Sequence, residues 1–257
     1  MTAPSNTKTL PTSPASAARL GVFQSTRKPT LRTSAWEQTP WGVVRVKGRL
    51  GQQHQDLTET IFYTALQSHW RRDGRLQILV DPYKVRHGLG VAGQTSHEQV
   101  WITLREVMGA VIGWRYGDVD GMGHIIDEVE TAKVEGQNPL HPAYVATREP
   151  LHWRTPPQKS RTLWRVTIGA AWARLVRDDI GRYYDPRPIV ALKNGVSQAV
   201  ARLMLTHTRG TSEVLIDTAL AQVKAGGRIR DRRREIEEDR EGLAECGVMI
   251  DGGIVRY

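Results

Sequence analysis

Arginine is concentrated in one short segment near the C-terminal end of the chain. Five arginines fall within seven residues, at Arg228, Arg230, Arg232, Arg233 and Arg234. Around them, Ile229, Ile236 and Leu243 recur every seven residues, which predicts a helix over 228–246 with a narrow apolar stripe facing a core. Guanidinium groups bind phosphate oxygens and can fork onto the O6 and N7 atoms of guanine. The segment therefore has the chemistry of nucleic-acid binding.

The order of charges along this helix decides between two interpretations. Five acidic residues could pair with the arginines at i, i+3 or i+4 and make the segment an ordinary solvated helix. They are Asp231, Glu235, Glu237, Glu238 and Asp239. However, the basic residues crowd the N-terminal turns, where they oppose the helix dipole, and most acids come later. An anionic partner would stabilise that arrangement, so we expect the arginines to contact DNA.

The composition agrees with a polyanionic partner. The 257 residues include 36 Lys and Arg against 27 Asp and Glu, a formal net charge of +9, and proteins that displace counterions from nucleic acid carry such an excess. The single Cys246 rules out an internal disulfide. No segment has the apolar length of a membrane span, and the N-terminus lacks the apolar core of a secretory signal. We expect a bacterial cytoplasmic protein, associated with the nucleoid or a plasmid, with double-stranded DNA as partner and no membrane contact.

The N-terminal residues, 1–35, have a different composition from the rest. They are rich in Ser, Thr, Pro and Ala, and no acidic residue precedes Glu37. This composition predicts a disordered basic arm. An organelle transit peptide is the alternative, but Pro4, Pro11 and Pro14 would interrupt its amphipathic helix.

Residues 36–135 show the order of a first winged-helix domain. A strand and a short helix precede a longer helix that Ser96 should cap, with Gln99 as capping-box partner. Strands over 111–116 and 123–129 flank a turn and predict a hairpin wing. The residues expected to face a DNA groove are Ser96, His97, Gln99, Thr103 and Arg105. The alternative is that they are ordinary polar surface residues.

The second half repeats this order. Proline, glycine and asparagine accumulate over 136–160, which predicts a linker or an irregular inserted loop. We expect residues 161–257 to form a second winged-helix domain, with the strand over 161–169 returning to the first sheet. Lys193 and Asn194 start one of its helices and are candidates for DNA backbone contacts, and Arg256 would lie on its wing. The fold class is therefore α+β, with tandem winged-helix domains after the N-terminal arm.

Taken together, several segments resemble those of the TrfA-like, iteron-binding family of plasmid replication initiators. They are the basic arm, the helices over 56–67 and 96–109, the order Val196–Leu203 then Asp217–Leu220, and the arginine-rich helix ending at Gly247 before Ile254–Arg256. The resemblance implies two winged-helix domains that bind origin repeats (iterons) and help open the duplex. It also implies a host initiator and a replicative helicase as partners, and a monomer–dimer equilibrium with a homodimer. The proline-rich 135–159 segment departs from that pattern.

Two motifs could indicate enzyme chemistry. Gly88–Gly93 matches G-x-G-x-x-G, but the segment over 83–87 separates it from the preceding strand, so it does not fit a dinucleotide site. Asp178, Asp179 and Asp185 lie around two tyrosines, as a nickase would require, yet helix ends and turns also explain them.

Other patterns of catalysis are missing from the sequence. It has no G-x-x-x-x-G-K-[ST] loop, its histidines are scattered, and one cysteine cannot build a zinc cluster. The eight tryptophans are better explained by core or hairpin packing than by base stacking. We expect a non-enzymatic initiator without cofactor or metal. The alternatives are a winged-helix repressor or partition regulator, a rolling-circle tyrosine nickase, and a module that binds an acidic protein.

Overall fold

The computed structural model describes residues 10–90, 96–134 and 161–257. In the first part of the chain the elements are β1 (Ser13–Pro14), α1 (Ala15–Arg19), β2 (Arg32–Thr39), β3 (Gly42–Gly48), α2 (Gln52–Tyr63), β4 (Gln67–Trp70), β5 (Leu76–Val80), α3 (Pro82–Gly88), α4 (His97–Gly109), β6 (Val111–Tyr116), β7 (Val119–His124), β8 (Ile126–Val134), β9 (Arg161–Ile168) and α5 (Ala170–Asp178). In the second part they are β10 (Gly181–Arg182), α6 (Arg187–Ala191), α7 (Gly195–Met204), β11 (Glu213–Leu215), α8 (Ile216–Gln222), α9 (Ile229–Glu238), α10 (Arg240–Glu245), β12 (Met249–Asp251) and β13 (Ile254–Arg256). Helices and antiparallel sheets together make this an α+β protein. Within these ranges no helix has both the length and the apolar character needed to cross a membrane.

Two antiparallel four-stranded sheets contribute to the larger of two hydrophobic cores. Their strand orders are β2-β3-β6-β7 and β4-β5-β9-β8. Alternate residues are apolar and buried, such as Val44 and Val46 on β3 or Ile112 and Trp114 on β6, so one face of the sheet faces the core. Helices α2, α4 and α5 add their apolar faces to the same core.

The segment predicted to form a hairpin wing after α4 contains three strands, which lie in two different sheets. Strands β6 and β7 form a hairpin that pairs with β3. The chain then changes sheet, and β8 pairs with β9 instead. Ile125 and Ile126 are both fully buried, and consecutive residues of a single regular strand would point to opposite faces. The predicted wing strand over 123–129 is therefore wrong, because two strands meet within it.

Strand β9, which lies within the predicted strand over 161–169, pairs with β5 and β8 in a sheet of the first unit. Strands β8 and β9 are antiparallel neighbours paired up to their ends at Val134 and Arg161, so the chain between them connects two strands of one sheet and does not link two domains. Residues 135–160 themselves lie outside the described part of the chain. Trp172 and Leu175 of α5 join the first core. Residues 161–178 thus complete the first unit, since its core needs their apolar side chains.

The N-terminal segment is not a free arm over the residues that the structure describes. Its small apolar residues, such as Ala15 and Ala17, are buried, as are Leu20, Val22 and Phe23. Arg19 donates to the carbonyl and hydroxyl of Thr206, and Arg27 donates to the carbonyls of Val190 and Leu192. The prediction of disorder is therefore wrong for residues 10–35, because these arginines bind backbone carbonyls of the second unit. Residues 1–9 lie outside the described part.

Helices α6 to α10 and the sheet β11-β13-β12 surround the second, smaller core. The helix predicted over 228–246 is divided into α9 and α10 at Asp239. The buried Asp239 carboxylate accepts the backbone N–H groups of Lys193 (2.9 Å) and Asn194 (2.8 Å). Ile236 and Leu243 are fully buried, but Ile229 is 51% exposed. The predicted apolar stripe therefore holds for two of its three residues.

The two units share one order of elements. In the first, strand β5, helices α3 and α4, and strands β8 and β9 follow each other, and the strands lie in the order β5-β9-β8. In the second, β11, α8, α9, β12 and β13 follow each other, and the strands lie in the order β11-β13-β12. In the first unit, the β6–β7 hairpin is inserted between the second helix and the last two strands.

A buried polar network joins the units through α2 and α7. Arg202 donates to both oxygens of Glu59 (2.9 and 3.0 Å), to Asp56 (2.6 Å) and to the side-chain carbonyl of Gln52 (2.7 Å). Gln198 also donates to Asp56. Burial alone would lower the pKa of Arg202, but the charges of Glu59 and Asp56 outweigh it and raise that pKa. This buried cluster sets the position of one unit against the other.

Candidate nucleic-acid interface

The arginine-rich helix α9 is positioned by the turn that connects it to α8. Gly227 has a φ of 94°, a left-handed conformation that glycine adopts without strain. A Cβ atom there would come within 2.8 Å of the Arg232 guanidinium. Arg232 closes this turn, because its Nε donates to the carbonyl of Gly226 (2.5 Å) and its Nη1 pairs with Glu235. Arg232 is thus half-buried and bonded within the fold.

Arg233 and Arg234 are exposed and carry surface ion pairs. Arg233 forms a bidentate pair with Asp217 of α8, with its Nε 2.8 Å from one carboxylate oxygen. The hydrogen bond from Arg233 holds the pKa of Asp217 below its usual value. Arg234 lies between Asp231 (3.9 Å) and Glu238 (3.6 Å). Exposed pairs of this kind contribute little to stability, so both guanidinium groups can exchange their carboxylates for phosphates at small cost.

Arg228 and Arg230 differ from the other three. Their side chains are exposed and make no hydrogen bond or ion pair with any residue in the described ranges. Arg228 is the N-cap of α9, and Arg230 follows within its first turn. The unneutralised cations are therefore gathered at the N-terminal end of α9, next to the exposed Ile229. An anionic ligand would meet these two side chains without first displacing an acid.

The predicted contact Arg256 lies on β13 but is flanked by acids. It donates to Glu213 of β11 (2.8 Å) and to Asp251 of β12 (2.8 Å). Gly252 and Gly253, both with positive φ, form the tip of the β12–β13 hairpin. The hairpin tip is therefore free of bulky side chains, and Arg256, like Arg233, forms exposed ion pairs that it can exchange for phosphates at small cost.

Lys193 and Asn194 lie at the start of α7, beside the C-terminal end of α9. Asn194 uses its side-chain amide to donate to the carbonyl of Glu235 (3.1 Å). Its contact with DNA backbone stays a prediction, in which this amide would have to share or exchange its bond within the fold. The side chain of Lys193 is exposed, and it remains a candidate.

In the first unit, the predicted groove-facing residues divide into two groups. Ser96 caps α4, and its hydroxyl accepts the backbone N–H of Gln99 at 3.0 Å, as predicted. Thr103 is buried at 6% exposure, and its hydroxyl donates to the carbonyl of Gln99. Thr103 is therefore wrong as a contact, because it packs on the core side. The remaining candidates, His97, Gln99 and Arg105, are exposed on α4.

Sequence reasoning overlooked Arg86 of α3, which lies close to His97. Partial burial lowers the pKa of His97, and the charge of Arg86 lowers it further. The sequence already indicated a short helix over 82–87, directly before α4. Its position next to α4 could have identified Arg86 as a candidate contact. Trp36 and Arg45 were also overlooked as candidate contacts. The alternation of Val44, Arg45 and Val46 could have identified Arg45, because it places that side chain on the face opposite the core.

The motifs that could suggest catalysis have structural explanations. Gly88 ends α3, and a Cβ atom there would come within 2.7 Å of Thr60, so the glycine lets α3 approach α2. Residues 91–95 lie outside the described part. Asp178 pairs with Arg177, Asp179 accepts the backbone N–H of Ser16, and Asp185 pairs with Arg187. Across the described ranges, no three potential metal ligands gather in one place.

The structure is thus an α+β protein with two units, each made of a strand, two helices and two further strands. Two exposed arginines without an ion pair in the described ranges lie at the start of α9. No protein-family model matches the sequence, and no curated protein matches it. The structure is similar to the crystal structure of domains 2 and 3 of RctB, a Vibrio replication initiator. The TM-score is 0.58 and the identity 11%, over 90% of this chain and 86% of that one. At 11% identity, the similarity shows a shared fold alone.

Proposed function

We propose that this protein is a replication initiator that binds double-stranded DNA through two winged-helix units. The observation that carries the proposal is the pair of unneutralised arginines, Arg228 and Arg230, at the start of α9. The similarity in fold to domains 2 and 3 of RctB, a replication initiator, supports this reading.

The shared order of elements supports a winged helix in each unit. A winged helix places a second, recognition helix in the major groove and a β-hairpin beside it on the backbone or a neighbouring groove. In the second unit these parts are α9 and the β12–β13 hairpin. In the first unit they are α4 and the strand pair β8–β9. The β6–β7 hairpin then becomes an addition to the winged helix, which packs on β3.

The contacts follow from the positions of the arginines. Arg228 and Arg230 would bind phosphates or fork onto guanine, because they are not engaged with acids of the protein. Arg233 and Arg234 would follow by exchanging their carboxylates for phosphates. The glycine tip of the β12–β13 hairpin allows the backbone to approach DNA closely. In the first unit, His97, Gln99 and Arg105 on α4 would make a second set of contacts.

Direct binding tests this interface. We expect Arg228→Ala with Arg230→Ala to weaken binding to a duplex that carries its direct-repeat target. The slope of log affinity against log salt should fall by about 1.8, since each lost phosphate contact removes about 0.9. The control is Arg174→Ala with Arg177→Ala on α5, which also removes two exposed arginines from one helix. Equal losses for both variants would contradict a role for α9.

A plasmid assay separates initiation from repression. A plasmid that carries this gene and direct repeats of about 20 base pairs, spaced by helical turns, should be lost when the gene is disrupted and maintained when it is supplied in trans. Such direct repeats would be iterons. Loss of the plasmid when the gene is disrupted would support a place for this protein among the iteron-binding initiators. Stable maintenance without the gene would support the second candidate, a repressor or partition regulator, which would use the same recognition helix.

We also propose that the protein acts without cutting DNA. Tyr184 is partly buried beside Glu59, and desolvation of its hydroxyl raises its pKa well above the usual value, so it is a poor nucleophile. Tyr183 is exposed, but the three neighbouring aspartates are bonded elsewhere. A supercoiled origin plasmid incubated with the protein and Mg²⁺ should stay supercoiled, whereas a nickase would relax it.

A further inference from the structure

The outer face of the sheet β2-β3-β6-β7 carries an unexpected row of side chains. The register pairs Trp36 with Arg45, Arg45 with Gly113, and Gly113 with Met122, so these four residues form one row across all four strands. Opposite this face, Val44, Val46, Ile112 and Trp114 fill the core. The row therefore lies on the side of the sheet that faces away from the core.

Two large apolar side chains of this row are unusually exposed. Trp36 is 51% exposed and Met122 is 65% exposed. Gly113 lies between them, and a Cβ atom there would approach the Trp36 ring to 3.2 Å and Met122 to 3.7 Å. The absence of a side chain at Gly113 lets the indole lie across the sheet. The result is a shallow apolar trough with one accessible aromatic ring.

Cations surround this trough. The Arg45 guanidinium carbon lies 6.0 Å from the centre of the Trp36 ring, at the limit of a cation–π contact. Lys47 and Arg115 are exposed on the same face, in the rows on either side. Two residues along a strand span about 6.6 Å, so positive charge lies on both sides of the ring. Asp120, which pairs with Arg115, is an acidic residue on this face.

We propose that this face binds single-stranded nucleic acid, with a base stacked on Trp36 and the backbone held by Arg45, Lys47 and Arg115. Any base can stack on an aromatic ring, and cations along a groove follow the phosphates, which is how non-specific single-strand binding works. A protein partner is less well matched, because one indole and one thioether expose far less than the roughly 800 Å² per partner of a stable interface. The proposal builds on the proposed function, since opening a duplex produces such a strand.

The test measures binding of fluorescein-labelled (dT)15 and (rU)15 by anisotropy. Trp36→Ala should weaken binding by about 5- to 150-fold, the range seen when a stacking aromatic is removed. Trp36→Phe should keep most of the affinity, because it retains an aromatic face. Trp70→Ala is the matched control, since Trp70 is another exposed tryptophan on a strand of the first unit. Tighter binding of one probe identifies which nucleic acid the face prefers.

A cross-test separates this proposal from the proposed function. Trp36→Ala should leave affinity for duplex repeats unchanged, and Arg228→Ala with Arg230→Ala should leave affinity for (dT)15 unchanged. Wild-type binding of both single-stranded probes by Trp36→Ala, in a protein with an unchanged melting temperature, would overturn the stacking proposal and leave the duplex interface standing. Loss of both activities in the α9 variant would also overturn it, because a single site would then bind both ligands.

Discussion

Replacing Arg202 with methionine would leave two buried carboxylates without their cation. The Arg202 side chain is 1% exposed, and those of Asp56 and Glu59 are 5% and 2% exposed. Removing one partner of a buried ion pair costs about 3–5 kcal/mol, because the remaining charge cannot be solvated. At roughly 2–4 °C per kcal/mol for a chain of this size, we expect the melting temperature to fall by about 6–20 °C.

The assay is thermal and urea unfolding followed by circular dichroism. A triple variant, Arg202→Met with Asp56→Asn and Glu59→Gln, should recover much of the loss, since no charge then stays buried and unpaired. A fall of less than 2 °C in the single variant would refute the reasoning, as would a triple variant as unstable as the single one. The first result would mean that water reaches these carboxylates, and the second would mean that lost hydrogen bonds and packing, not unpaired charge, cause the fall.

Three further predictions concern single side chains. Asp217→Asn frees Arg233, so the affinity for duplex repeats should rise about threefold to tenfold at low salt, measured by anisotropy, with an unchanged melting temperature. Burial raises the pKa of the Cys246 thiol to about 11. Since only the thiolate reacts, its modification by DTNB at pH 8 should be about 100-fold slower than in the urea-unfolded chain, and equal rates would contradict its burial. Arg86→Ala should raise the pKa of His97, since burial and then Arg86 lower it. An NMR titration would show His97 protonating at higher pH in the variant, and an unchanged midpoint would remove Arg86 as a cause.

The second unit was the more predictable of the two. The spacing of Val196, Val200 and Leu203 predicted α7, and the structure buries all three. Gly247 and the Gly252–Gly253 turn marked the closing hairpin through local backbone requirements. These signals act within a few residues, which is why sequence alone could place the elements.

The failures involve contacts between distant residues. Nothing near Ala15 or Ala17 reveals that other parts of the chain cover them, so a Ser- and Ala-rich segment was taken for a disordered arm. The break at Asp239 depends on the backbone of Lys193, which lies 46 residues away.

The candidate site was predictable as a group and not in its details. The density of arginines singled out residues 228–234 at once. Which of them are free could not be foreseen, because Asp217, the partner of Arg233, lies 16 residues earlier on another helix. The outer sheet face was missed for a similar reason, since Trp36 and Met122 become neighbours only through the strand register.

The bonds of the N-terminal segment have a consequence for synthesis of the protein. Arg19 and its partner Thr206 are 187 residues apart. At about 5–20 residues per second, a ribosome needs roughly 10–40 s to make the intervening chain. Until then, α1 lacks its contacts with α7 of the second unit. Nascent chains that stop before the second unit should therefore be more prone to aggregate or to recruit chaperones than the finished protein.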